Sequence, residues 1–550
     1  MPEHNSMRRR TGGEALVDAL AAHGIDTVFG IPGAQIYGLF DAFATATPPL
    51  KVIAPRHEQT CGYMAFGAAL ATGKPAVFSV VPGPGILNAG AAMLTAFGCN
   101  APVLCLTGQV PTGFLGQGRG HLHEMPDQLA TLRTFVKHAE RVDHPAQAGT
   151  AVARAFQIMT GGRKGPAALE MPWDVFTQAA VTLPPSPLAP LDPPPVDDRA
   201  IEDAARLCAS ARAPMIFVGS GAIGTEAEVL RLAELLDAPV VAFRSGRGIV
   251  DDDHDLGLTM AAAYRLWPDT DLMIGIGTRL ELPTWRWPYR PAGQKSIRID
   301  IDPAEMRRFR PDVAVVADAA AGAAALADAL GRNAGPDASR RQAIAAAKAA
   351  AAEAIQAVQP QMSYLSVLRE ILPRDGIVTD ELSQVGFASW YGLPIHRPRT
   401  FLSSGYQGTL GSGFPTALGA KIACPDRAVV AICGDGGFMF AAQELATAAQ
   451  FGIGVVTLVF NNRSYGNVRR DQVQGFEGRI VGADLDNPDF VRFAQSFGVD
   501  GVRVDTPDSF RRELKRTIAA DRPALIEVAV ERGSETSPWA FIHPPRPDGL

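Results

Sequence analysis

The chain has 550 residues, which suits about three domains of common size rather than one core. A formal net charge of −6 leaves no electrostatic footprint for nucleic acid, and no window of about 18 uninterrupted apolar residues offers a membrane span. The opening MPEHNSMRRRTGGEAL lacks the apolar core of a secretory signal, and six cysteines without a CxxC pair read as reduced thiols of a cytoplasmic protein.

Residues 1–182 alternate β-rich runs with helical ones. DTVFGIPG, KVIAPR, PAVFSVVPGPG and APVLCLTGQ read as strands running into glycine turns. LPPSPLAPLDPPPVD, residues 183–197, carries seven prolines and reads as a stiff linker. The alternation returns over 198–335 with APMIFVGSG, APVVAFRSG, DLMIGIGTR and SIRIDID. Residues 336–359 are Ala-rich and read as a linker helix. The last segment, 360–550, repeats the pattern with GIVTDELSQ, AVVAICGDGG, GVVTLVFNN and PALIEVAV. This predicts an α/β protein of three domains, with parallel sheets covered by helices. Ligands of such sheets gather at the carboxyl ends of the strands, where most of these glycine turns lie.

CGDGGFMF, residues 433–440, resembles a phosphate loop whose Lys is missing and which holds Asp435 instead. Gly434, Gly436 and Gly437 let a backbone approach anionic oxygens. The next strand ends in Asn461 and Asn462, so two adjacent strand ends bring a carboxylate and an amide oxygen close together. That is hard-oxygen ligation, suited to Mg²⁺ or Ca²⁺. The ion, rather than a Lys, then neutralises a phosphate held by free amides and a helix N-terminus.

Together with FGIPGAQIYGLFDAF, RHEQTCGYMAFGAALATGKPAV, GPGILNAGAAMLTAFGCNAPVLCLTGQ and GTLGSGFPTALGAK, this unit resembles the acetolactate synthase-like branch of thiamine-diphosphate enzymes over nearly the whole chain. The resemblance implies a pyrimidine-binding domain, a central Rossmann-like domain and a diphosphate-binding domain. It implies a homodimer or homotetramer, with thiamine diphosphate and Mg²⁺ lying between the first domain of one subunit and the last domain of another. Asp435, Asn462 and the Ser464 carbonyl match the metal ligands. Ser383, Gln384, Gly434, Gly436, Gly437, Tyr465 and Gly466 match the surroundings of the diphosphate. Glu58 matches the carboxylate that bonds N1′ of the aminopyrimidine and so helps to deprotonate the reactive C2 carbon. Gly408 matches the carbonyl that accepts from the 4′-amino group, and Leu410 the apolar residue that keeps the cofactor bent. Gln109 and the Pro32–Gln35 turn, with Gly33, lie in segments that face the thiazolium, which implies a catalytic role for Gln109 in handling the substrate carboxylate or a developing oxyanion. The implied reaction cleaves a 2-oxo acid or 2-diketone through a carbanion/enamine and passes the fragment to an acceptor carbonyl.

The sequence also departs from acetolactate synthases. Their Arg-Phe-Asp-Asp-Arg run is RLELP here, with Pro283 in place of the acceptor-recognising Arg. Asp471 stands where they carry a Trp, and Asn467 where a Met is usual. A non-ligating decarboxylase or a C–C hydrolase is therefore the alternative. GSGAIG, residues 219–224, fits GxGxxG but lacks the acidic residue at the next strand end, where Arg244 stands. An NAD(P)-dependent dehydrogenase is thus a remote alternative, and FAD at this loop is left open. His121 and His123 read as surface residues of a loop. The tail ETSPWAFIHPPRPDGL reads as an apolar cover for a site mouth.

Overall fold

The computed structural model describes residues 7–331 and 338–546. Part of the expected 336–359 linker helix and the last residues of the tail fall outside them. Three six-stranded sheets carry the architecture. Their strands are short, rich in Val, Ile and Leu, and mostly buried along their length, as parallel strands covered on both faces must be.

The first sheet runs Lys51–Ile53, Thr27–Gly30, Ala76–Val80, Val103–Gln109, Ala167–Pro172, His138–Arg141. Counted within the sheet, its order is 2-1-3-4-6-5. The third sheet, from Ile377–Thr379 to Ala524–Ala529 in sequence, has the same order. The middle sheet, from Pro214–Val218 to Val313–Val316, has the order 3-2-1-4-5-6 of a dinucleotide-binding fold. The α/β expectation is borne out, with three parallel sheets flanked by helices. Residues 183–197 form no regular element, and Ala338–Ala354 is a helix.

Packing groups the chain into two units. One holds the residues up to Asp192 with Ser404–Asp426 and Met439–Val455. The other holds Pro193–Ser403, Arg427–Phe438 and the residues from Val456 onward. Inside the first unit, helix Glu58–Thr72 meets helix Gly413–Ala423 backbone to backbone. A Cβ on Gly67 would lie 2.0 Å from the Thr416 carbonyl oxygen, and one on Gly419 would lie 1.9 Å from that of Met64. Only glycine permits so close a crossing. Among the described residues no helix is long and apolar enough to cross a membrane.

Candidate active site

In the third sheet the first and third strands are neighbours, so the chain leaves them in opposite directions and opens a crevice at their carboxyl ends. Ile377–Thr379 runs into Asp380–Gln384 there, and Val429–Gly434 runs into Asp435–Phe438. Ser383 caps helix Gln384–Gly392, its hydroxyl accepting from the Gly386 amide at 3.0 Å. The Gln384 side chain is buried and its Oε1 has no hydrogen-bond partner. A Cβ on Gly434 would sit 3.0 Å from that of Ser383, and one on Gly436 only 2.5 Å from the Tyr465 ring. The glycines expected to cradle an anion are thus positions where the two strand-end loops close on each other.

Asp435 is 2% exposed, and burial pushes its carboxyl up to about 6. Asn487 Nδ2 donates to it at 2.6 Å, and the amides of Gly436 and Ser464 also favour its charge. The fourth strand, Val455–Asn461, delivers Asn462 and Ser464 to the same place. Asn462 Oδ1 accepts from the Ser464 amide at 3.0 Å and from its hydroxyl at 2.9 Å. Asn461 turns the other way, donating to Glu527 at 2.8 Å and accepting from Asn487 at 3.0 Å. Asp435, Asn462 and Ser464 therefore form one cluster. Asn487 and Glu535, which bonds Asn462, belong to it as well; nothing in their sequence spacing marked them.

The first unit carries the remaining candidates. Glu58 opens helix Glu58–Thr72 behind its cap His57. Its half-buried carboxylate accepts from Asn88 Nδ2 at 3.0 Å. The strand end before it is fixed by Glu444, which is fully buried and accepts from the Arg56 amide at 3.0 and 3.1 Å and from Thr447 at 2.5 Å. Burial raises the Glu444 carboxyl, and these donors oppose the rise.

The first sheet has its own switch point between Thr27–Gly30 and Ala76–Val80. Gly33 lies against Val81 across it, where a Cβ would come within 2.5 Å of the Val81 side chain. Gln35 is fully buried at φ 71°, donates to the Leu122 carbonyl, and bonds His123 Nδ1 at 2.9 Å. His123 is therefore tied to the glycine turn instead of standing free on a loop surface. His121 packs on Phe114, with ring centroids 4.2 Å apart. Gln109 is turned inward. Its Oε1 accepts from the Val110 amide at 2.8 Å, and its Nε2 lies 3.4 Å from buried Glu170. Gly408 adopts a left-handed φ of 56°. Leu410 is only half-buried, so it faces something other than the core.

Three domain families match in sequence order. They are described as thiamine pyrophosphate enzyme N-terminal TPP binding domain, central domain and C-terminal TPP binding domain, at residues 10–131, 201–326 and 383–528. The chain belongs to the thiamine pyrophosphate enzyme family. It is 34% identical to the acetolactate synthase large subunit of Parasynechococcus marenigrum, over 97% of this chain and 90% of that one. It is 32% identical to a probable 2-ketoarginine decarboxylase of Pseudomonas aeruginosa, over 94% of each. It is 30% identical to the sulfoacetaldehyde acetyltransferase of Castellaniella defragrans, over 96% and 94%. The protein is thus a thiamine pyrophosphate enzyme of the acetolactate synthase type. Thiamine pyrophosphate and thiamine diphosphate are the same compound.

The residues present fit that cofactor. A buried carboxylate, an amide oxygen, an unpartnered glutamine oxygen and one glycine loop closed against its neighbours would hold a diphosphate together with a hard cation. The positions that depart from acetolactate synthases are also ordered. Pro283 lies in a turn of π-helix, Leu282–Arg286. Buried Arg286 and Arg244 both pair with Glu281. Arg244, at the strand end where a dinucleotide fingerprint wants an acid, also lies over the Phe243 and Trp390 rings. The tail packs on the second unit. Trp539 Nε1 donates to Asn467, Ser537 accepts from Arg470 at 2.8 Å, and His543 bonds Arg286 at 2.8 Å. Asp471 is exposed and paired with Arg470.

Proposed function

We propose that the enzyme uses thiamine diphosphate and Mg²⁺ to cleave a 2-oxo acid or 2-diketone and to transfer the fragment to an acceptor carbonyl. The observation that carries this reading is the cluster of Asp435, Asn462 and Ser464 at the switch point of the third sheet. Bound thiamine diphosphate supplies a nucleophilic carbon and an electron sink. Asp435, Asn462 Oδ1 and the Ser464 carbonyl would hold the metal. Ser383, Gln384, Gly434, Gly436, Gly437, Tyr465 and Gly466 would surround the diphosphate. Glu58 would hold a proton at the pyrimidine, with Asn88 and Glu444 fixing its approach. Gly408 would accept from the amino group, and half-buried Leu410 would support the ring system. Gly33 and Gln35 would bound the thiazolium side. Gln109, already engaged at both ends of its amide, would position the Glu170 network behind them rather than touch the reacting atoms.

A homodimer or homotetramer is part of the proposal. In the first unit Leu87, Phe97, Tyr406 and Phe440 are large, apolar and exposed, which supports a second copy covering that surface. Six free cysteines, five of them buried, support a reducing compartment such as the cytoplasm.

Asp471 favours a second reading. A carboxylate stands where acetolactate synthases carry an aromatic, in the charged run Arg469–Arg470–Asp471 where it pairs with Arg470, which suits decarboxylation of a more polar 2-oxo acid. The likeness to a probable 2-ketoarginine decarboxylase supports this alternative. The test incubates purified protein with thiamine diphosphate, Mg²⁺ and a panel including pyruvate and 2-ketoarginine, with products followed by mass spectrometry. Products joining two carbonyl-derived units support transfer. Aldehyde and carbon dioxide alone support decarboxylation, and no turnover without thiamine diphosphate is expected in either case.

A further inference from the structure

The two ends of the Asn462 amide are nearly equal in size and opposite in chemistry. Oδ1 can ligate a hard cation, whereas Nδ2 in the same place would present hydrogens to it. Some neighbour must therefore decide which end faces Asp435. The Ser464 amide can only donate and takes the oxygen end, whereas the Ser464 hydroxyl can rotate to suit either end. The selector at the other end of the side chain is Glu535, whose Oε2 accepts from Asn462 Nδ2. An ionised carboxylate has no donor, so it takes the NH₂ end and rejects the oxygen end. Gly466 completes the seat: a Cβ there would lie 2.8 Å from the same Nδ2.

Glu535 reaches this place from the segment after strand Ala524–Ala529, 73 positions beyond Asn462. That segment is anchored on both sides. Thr536 donates its amide to the Gln359 carbonyl at 2.8 Å, and Ser534 bonds the Glu531 carbonyl at 2.8 Å. A carboxylate placed here gives Asp435 an acidic neighbour, a repulsion that a cation bound at Asp435 would offset.

We propose that Glu535 is a positioning residue that locks the Asn462 amide with its oxygen toward the metal. This rests on the metal site proposed above. Outer partners of metal ligands typically contribute about 10–100-fold in metal affinity.

The test counts free Mn²⁺ by electron paramagnetic resonance in full-length protein with thiamine diphosphate at pH 8. It compares wild type with Glu535→Met, Glu535→Gln and Asp435→Ala, and records a melting curve for each. Glu535→Met keeps the volume but removes the acceptor, and its Mn²⁺ affinity should fall about 10–100-fold. Glu535→Gln keeps an acceptor oxygen but adds a donor that tolerates the wrong end, so its loss should be smaller than that of the Met variant. If the Met variant melts early, Glu535→Asp replaces it, since its carboxylate falls one methylene short and should show a loss in the same direction. Unchanged affinity in the Met variant, or in Asp when it stands in, overturns the proposal while an impaired Asp435→Ala leaves the metal site standing. Equal losses in Gln and Met also overturn it, because charge rather than orientation would then matter. Unchanged binding in Asp435→Ala overturns the metal site and this inference together.

Discussion

Replacing Asp435 by Asn should stabilise the cofactor-free protein at neutral pH and remove its response to cofactor. Burial raises the Asp435 carboxyl from 3.8 to about 6. One pKa unit corresponds to about 1.4 kcal/mol, so the ionised form destabilises the apo fold by about 3 kcal/mol. The sign follows from linkage. A carboxyl that binds its proton more tightly when folded leaves stability intact below about pH 4, lowers it through pH 4–6, and leaves it low above. The advantage of Asp435→Asn should thus grow from about 1 kcal/mol at pH 4.5 to about 3 kcal/mol at pH 8. Glu535, raised to about 7 by burial and further by the charge of Asp435, acts in the same direction. Bound cofactor offsets the deficit in the wild type, adding about 2.7 kcal/mol at 100 times its dissociation constant. The assay is scanning calorimetry or fluorimetry of EDTA-treated protein across this pH range, with and without thiamine diphosphate and MgCl₂. Melting shifts on the order of a few degrees are expected for a chain this large. A difference that does not vary with pH would refute the burial argument. An equal cofactor-induced shift in both proteins would refute the metal assignment.

Glu58→Gln should lower kcat by about 100-fold or more while melting as wild type, because it removes a proton site and little packing; full turnover would remove Glu58 from the chemistry. Gly436→Ala should weaken thiamine diphosphate binding by about tenfold, since the new Cβ would lie 2.5 Å from the Tyr465 ring and displace it. Calorimetric titration gives the number, and unaltered affinity would mean that Tyr465 can move without consequence. Gly419→Ala should destabilise the first unit by about 1–3 kcal/mol or more through its clash with the Met64 carbonyl. A denaturation midpoint equal to wild type would show that the two helices can separate slightly at no cost.

The parts of the site legible in the sequence are those written at short range. Gly-Asp-Gly after one strand and Asn-Asn after the next needed only a βαβ reading to bring Asp435 near Asn462. The alternation of strands and helices likewise gave the three sheets, though not their orders. The switch points that place Ser383 beside Gly434, and Gly33 beside Val81, exist only once strand order is known. Long-range partners left no trace. Glu444 grips the Arg56 amide across 388 positions, and each partner alone is an ordinary residue of a helix or a strand end. Gln109 was legible as a polar group at a strand end, but only the structure shows its amide turned toward Val110 and Glu170. His123 does lie half-exposed on a loop, but the left-handed turn that aims it at Gln35 has no signature in GHLHE.

The tail joins two matters that sequence treats separately. Within five residues Glu535, Ser537 and Trp539 reach Asn462, Arg470 and Asn467. The first of these belongs to the cluster around Asp435. The other two lie on helix Gly466–Gly475, which starts immediately after it and carries Asp471. The helix has no buried residue of its own and an uncapped start, so packing from the tail must do much of the work of holding it. One short segment thus supports both the Asp435–Asn462 cluster and the helix that carries Asp471. Changes in the tail would disturb both together, whereas Pro283 is held in a strand-end loop of a different sheet and can change while the Asp435 cluster stays as it is.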